Sequence, residues 1–222
     1  MSEVRAVLLD LYDTLAWTEW PTMRAELEDR FGIGEAELLR AFTTTREARS
    51  IGTYESAEGD LRAILDAAGI AADADLVREL NDARMKAFAE NGVHFWDDSI
   101  PTLRELRGRG LRTAVVSNCD HSTRPIVEEL GLGRESDALI LSFEVGVAKP
   151  DPGIYLAALG ALGVRPAEAV FVDDQAGYCD GAEAIGIRSF LILRDDADPA
   201  EGVSVARDRH VLHDLRSLLE LV

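Results

Sequence analysis

Apolar and polar positions follow two regimes along the chain. Val4 to Leu9 is a short apolar run stopped by Asp10, the pattern of a buried strand ending in a carboxylate. From about residue 18 to 92 the apolar positions recur at helical spacing. This predicts helices over 22–31, 35–49, 57–68 and 74–91, with breaks at Gly32-Ile33-Gly34, Gly52 and Gly69. Beyond Ile100 helical stretches alternate with apolar runs. Helices are predicted over 100–109, 122–130, 152–162, 178–185 and 212–221, and strands over 112–116, 138–142, 169–172 and 188–193. Gly110, Gly131, Gly163 and Gly186 stop four of these helices, where C-caps are expected. Repeated strand–helix units of this length imply an α/β fold, a parallel sheet covered by helices on both faces. The four-helix region lies between the first strand and the rest, so it predicts a second lobe. Residues 195–208, rich in Asp and Ala, read as a long solvated loop.

Composition narrows the partners more than the fold. The 222 residues, 47% apolar and 29% charged, suffice for one large core or a core plus a smaller satellite. Acidic residues outnumber basic ones 41 to 23, a formal charge of −18 with no basic stripe, which argues against nucleic acid and anionic membranes. Two cysteines, Cys119 and Cys179, make no disulfide framework, and residues Met1 to Arg5 lead into no signal-peptide core. No apolar run approaches the roughly 18 residues of a membrane span. A cytoplasmic setting is expected. The basic residues are 21 Arg and two Lys, Lys86 and Lys149, and a lysine in so arginine-rich a chain raises the question of a site that needs a compact ammonium.

In open α/β sheets ligands bind beyond the carboxyl ends of the strands. Asp10, Tyr12, Asp13 and Thr14 follow the first predicted strand, Ser117 and Asn118 follow 112–116, Lys149 comes a few residues after 138–142, and Asp173 and Asp174 follow 169–172. Four strand ends therefore gather carboxylates, a hydroxyl, an amide and an ammonium. An aspartate here can act as a nucleophile, splitting one difficult displacement into two easier ones. A hard cation held by Asp10 and Asp174 would neutralise a phosphoryl group under attack, while Ser117 and Lys149 hold its remaining oxygens.

DLYDTL (10–15), SN (117–118), KPDP (149–152) and VFVDD (170–174) resemble, in order and spacing, the four motifs of the haloacid dehalogenase (HAD) superfamily. The resemblance covers nearly the whole chain. It implies a Rossmann-like core from 1–17 and 93–222, a helical C1-type cap from 18–92, an aspartyl intermediate on Asp10 and, in most members, Mg2+. By the resemblance Asp10, Tyr12 and Lys149 are catalytic, Thr14, Ser117 and Asn118 bind the anion, and Asp174 holds the metal with Asp10 and the Tyr12 carbonyl. Asp173 is placed behind the metal ligands. Two positions pull the reading apart. Where phosphatases of the superfamily carry a second aspartate as acid and base, this chain has Tyr12, as its 2-haloacid dehalogenases do; those also carry a tyrosine where Tyr155 stands, as a substrate contact. Asp173-Asp174, by contrast, is the acidic pair of metal-dependent phosphatases. Loss of a proton donor costs a phosphatase about 10²–10⁴-fold, whereas halide leaves without a proton. Against that, carboxylates crowded around Asp10 without a cation repel one another. The reading favours Mg2+-dependent hydrolysis of a small phosphorylated metabolite. The alternatives are a metal-independent 2-haloacid dehalogenase and a weakly active anion- or partner-binding member.

Other residues carry weaker signals. Arg40, Arg46 and Arg49 either grip an anionic substrate group or form a solvated helix face, and Trp17, Trp20 and Phe42 either line a cleft or staple the insert. His94, His210 and His213 lack metal-ligand companions and read as structural or surface residues. Nothing around Cys119 marks it as a nucleophile.

Overall fold

The computed structural model describes residues 3–18, 25, 28–30, 32–88, 92–194 and 210–222. Helix 22–31, loop 195–208 and Trp20, as read from the sequence, lie wholly or for the most part outside those residues. At the centre stands β1 (Ala6–Leu9), whose four side chains are all buried. It pairs in parallel with β4 (Arg112–Ser117) on one side and β6 (Ala169–Asp173) on the other. With β5 (Ala138–Leu141), β7 (Arg188–Ile192) and β8 (Val211–Leu212) these form a six-stranded sheet in the order β5-β4-β1-β6-β7-β8, every pairing parallel.

Because successive side chains of a strand point to opposite faces, β1 feeds two cores. Val7 and Leu9 join Leu103 and Leu106 of α4 (Ser99–Gly108), Ile126 and Val127 of α5 (Thr123–Glu129), and Leu215 and Leu218 near the chain end. Ala6 and Leu8 face Ile154, Ala158 and Leu162 of α8 (Pro152–Leu162) and Ala182 of α9 (Ala176–Ala184). The α8 boundaries follow local chemistry. The Asp151 carboxylate accepts the Gly153 N–H at the start, with Pro152 at the first helical position, and Gly163 ends the helix at φ 62°. Two single turns, α6 (Leu132–Glu135) and α7 (Ser142–Val145), flank β5.

The insert between β1 and β4 carries α1 (Glu35–Ser50), α2 (Ala57–Ala67) and α3 (Ala74–Ala87), capped at Ser56 and Asp73 for the latter two. Leu61, Leu65, Val77 and Leu80 pack α2 on α3, and Ala41 and Ile64 join α1 to α2. Two short strands, β2 (Ala16–Thr18) and β3 (Val93–Phe95), pair antiparallel where the chain leaves for the insert and returns from it. Periodicity gave no warning of them, since three residues hold too little alternation to read. There Trp17 stacks on His94, ring centroids 4.4 Å apart.

One element departs in type from the sequence reading. The helix expected over 212–221 is β8 followed by a 3₁₀ turn, Leu215–Glu220. Leu193 N donates to Leu212 O, so the apolar start of this segment is taken up by the sheet edge. The Asp98 carboxylate accepts the Leu215 N–H, and Asp214 caps the short turn that remains. Among the described residues no helix is long and apolar enough to cross a membrane.

Candidate active site

Each strand of the sheet's middle delivers a polar residue to the same end. Asp10 follows β1 directly and stays in the ladder, its N–H donating to Val172 O at 2.9 Å. The chain then turns tightly: Leu15 and Ala16 N–H both donate to Leu11 O, and Asp13 sits in the left-handed region at φ 61°. Asp173 ends β6, and Asp174 follows it. Lys149 arrives on the loop after α7, held by Asn118, which follows β4. The Asn118 side-chain amide donates to Lys149 O at 2.8 Å, and its carbonyl accepts the Lys149 N–H at 2.7 Å.

These placements bring the Lys149 ammonium between two carboxylates. Its Nζ donates to Asp10 Oδ1 at 2.5 Å and to Asp173 Oδ2 at 2.6 Å, with all three side chains buried. The Nζ also lies 5.0 Å from the centre of the Tyr178 ring. Burial opposes the ammonium, but the two carboxylates outweigh it and hold Lys149 protonated well above the ordinary lysine range. Asp10, Asp173 and half-buried Asp174 each offer a carboxylate oxygen, all within 4.8 Å of one another. Three acids against one ammonium are under-compensated. Burial, with repulsion from Asp173, pushes Asp10 up to about 7 despite Lys149. Burial and the charges of Asp10 and Asp173 push Asp174 up to about 8.

Of the buried hydroxyls without a hydrogen-bond partner among the described residues, two belong to the motif residues, Thr14 Oγ1 and Ser117 Oγ. Leaving such groups unsatisfied costs about 1–3 kcal/mol each, so a site that fills them with an anionic oxygen recovers that cost. Thr14 is held from behind, its carbonyl accepting Arg194 Nε–H at 3.0 Å, while Arg194 also binds Asp98.

The surroundings of four further residues are as follows. Asp173, expected behind the metal ligands, accepts from Lys149 Nζ, and its carboxylate lies in the cluster with Asp10 and Asp174. Tyr155, expected at the substrate, is fully buried; its hydroxyl donates to Tyr178 O at 2.7 Å and its ring packs edge-on against Phe171. Asn118, expected on the anion, has its amide committed to the Lys149 backbone. Tyr12 points its hydroxyl at Thr123 Oγ1, 3.2 Å away, and burial raises it far above the tyrosine range, so it stays a neutral phenol.

Beside this cluster lies a cavity of about 410 Å3 between α1 and the loop after β4. The two sides are tied by charge: Arg49 of α1 meets Asp120 at 2.5 Å, and Asp60 of α2 accepts from both the His121 backbone and, at 2.8 Å, its ring. Burial opposes charge on Asp120, but Arg84 and Arg49 hold its carboxyl below the usual range. Sequence reasoning missed Asp60, Arg84, Asp120 and His121. The signal that existed was Arg49, which shares the buried stripe of α1 with Leu38, Ala41 and Thr45.

A model of haloacid dehalogenase-like hydrolases matches residues 4–186. The chain belongs to that family. Human haloacid dehalogenase-like hydrolase domain-containing protein 3 is 40% identical over 126 residues, 55% of this HAD-like hydrolase and 49% of that protein. The (S)-2-haloacid dehalogenase 1 of Pseudomonas sp. (strain CBS-3) is 29% identical across 100% of this chain and 98% of its own length. The glyceraldehyde 3-phosphate phosphatase of Methanopyrus kandleri is 38% identical over 55% of this chain and 57% of its own. The chain spans about half the length of the first curated relatives it matches. A solved L-2-haloacid dehalogenase is 26% identical, with a TM-score of 0.71 over 100% of this chain and 99% of that one. The HAD-like hydrolase thus has relatives of both chemistries that its motifs suggest.

Proposed function

We propose that this HAD-like hydrolase is an Mg2+-dependent phosphatase acting on a small phosphorylated metabolite, with Asp10 as nucleophile. The observation that carries the reading is the balance of charge: three clustered carboxylates face one ammonium. Ionised, they repel any anionic substrate; protonated, Asp10 is no nucleophile. A divalent cation removes both difficulties. Asp10, Asp174 and the Tyr12 carbonyl would hold it, and when bound Mg2+ neutralises phosphoryl oxygens. Lys149 shares its ammonium between Asp10 and Asp173, which aims the other Asp10 oxygen at phosphorus. The unpaired hydroxyls of Thr14 and Ser117 receive phosphoryl oxygens. The P–O bond to the leaving group breaks as a bond from an Asp10 carboxylate oxygen to phosphorus forms, the leaving oxygen taking its proton from water. A second water then adds at phosphorus, the bond to the Asp10 oxygen breaks, and phosphate and the Asp10 carboxylate are released. The helical insert serves as a cap that encloses the substrate. With its charge of −18 the protein is read as a cytoplasmic enzyme of small anions, with no nucleic-acid or membrane partner.

Metal-independent dehalogenation of a 2-halo acid is the second reading, favoured by one observation. Tyr12 stands where an acid would protonate a leaving alkoxide, and its hydroxyl is turned to Thr123. Halide departs without that proton.

Hydrolysis of an aryl phosphate and of a short 2-halo acid, each with Mg2+ and with chelator, separates the two. Phosphate release is expected with Mg2+ alone, and Asp10→Asn is expected to lower it by on the order of 10³-fold or more. Chelator-resistant halide release makes the chain a dehalogenase. Silence on both substrates leaves an anion- or partner-binding protein.

A further inference from the structure

The cavity beside the carboxylate cluster holds a charge with no ion pair or hydrogen bond among the described residues. Tyr12, Asn118 and Cys119, chain neighbours of Asp10 and Ser117, line it from the catalytic side. Leu39, Phe42 and Phe88 supply apolar wall. Among the described residues two cations face it, Arg46 and Arg49, and one anion, Asp120. Arg49 is spent: it binds Asp120, the Thr45 hydroxyl and the Phe42 carbonyl, and its guanidinium lies 5.4 Å from the centre of the Phe42 ring. Arg40, the third arginine of α1, lies outside the lining and pairs with Glu37. Arg46 has neither ion pair nor hydrogen bond among the described residues.

The geometry points to Arg46 as the residue that binds a carboxylate at the far end of the substrate, so that the substrate class is a short phosphorylated carboxylic acid with an apolar middle. This rests on the phosphatase reading for the reacting end and on the cavity alone for the other. One guanidinium matches one monoanion, and its planar fork presents two parallel N–H donors to two carboxylate oxygens. The apolar wall of Leu39, Phe42 and Phe88 favours methylenes between the two anionic ends. The remote contact supplies binding energy and no chemistry, so it acts on KM more than on kcat.

The test compares 3-(phosphonooxy)propanoate with its methyl ester, which share a leaving group and differ in one charge. Arg46→Gln is expected to raise KM for the acid about tenfold, leave kcat within about twofold, and leave the ester unchanged; Arg46→Lys recovers part of the loss. Equal effects on acid and ester, or none on either, overturn the assignment. Calorimetry with 4-phosphonobutanoate and its methyl ester, in the presence of Mg2+, reads the same contact without turnover. A preference for the acid that Arg46→Gln abolishes, in a protein that releases no phosphate, retires the phosphatase reading and keeps Arg46. Phosphonates that bind alike, or not at all, overturn the Arg46 assignment whatever the turnover.

Discussion

At Lys149 one positive charge is divided between Asp10 and Asp173, while Asp174 adds a third acid within reach. That imbalance has a consequence in stability. In the unfolded chain an aspartyl carboxyl titrates near 3.9, whereas Asp10 and Asp174 are raised to about 7 and about 8 in the fold. Between those limits the folded state binds more protons than the unfolded one, so stability falls as pH rises from about 4 to about 8. The Mg2+-free protein is therefore expected to melt at a lower temperature at pH 8.5 than at pH 5.5. Asp174→Asn should flatten that slope, and Mg2+ should restore the melting temperature at pH 8.5. A melting temperature that climbs with pH in the chelated wild type contradicts this account. The aspartates, Thr14 and Ser117 are legible in the sequence because they follow apolar runs at strand ends, and Lys149 because it is one of two lysines in an arginine-rich chain. Which carboxylate meets the ammonium is not, because Lys149 lies 139 residues from Asp10 and 24 from Asp173.

Elements hold these residues by close approach. Gly181 of α9 packs on the loop that carries Lys149: a Cβ there would meet Pro150 O at 2.7 Å, Pro150 Cβ at 2.8 Å and the Tyr155 hydroxyl at 3.0 Å. The first of these is backbone and cannot swing aside. Gly181→Ala is expected to cost about 1–3 kcal/mol in urea unfolding and to lower turnover by moving the Lys149 loop. Unfolding and activity both unchanged would mean that the loop yields freely. The same contacts explain Tyr155. Its place in an apolar helix, six residues after Lys149, says nothing about direction; only the packing of α8 under Phe171 and Gly181 turns its hydroxyl to Tyr178 O. Likewise the apolar run at 211–212 is equally compatible with a helix start or a strand, and the open edge of β7 decides for the strand.

Across the whole molecule the helical insert and the sheet meet through buried charge. Arg49 and Asp120 have side chains only 10% and 11% exposed, and Asp60 and His121 pair beside them. Removing one partner of a buried pair leaves the other desolvated and alone, so Arg49→Ala is expected to destabilise the protein by about 3–5 kcal/mol in urea unfolding. Asp120→Asn placed on the Arg49→Ala background should recover part of that loss. A single variant within about 0.5 kcal/mol of wild type would show that the pair is solvated in solution. The sequence by itself determined the alternation of strands and helices from β4 to β7, the helical insert after β1 and the strand-end residues, because periodicities of 2 and 3.6, caps and stop glycines are local properties of the chain. Only the tertiary structure decided the Lys149 bridge, the inward turn of Tyr155, the short strands β2, β3 and β8, and the ties between insert and core. Each of these depends on groups far apart in sequence that become neighbours only when the sheet and its helices pack, and on which way a side chain points once they have.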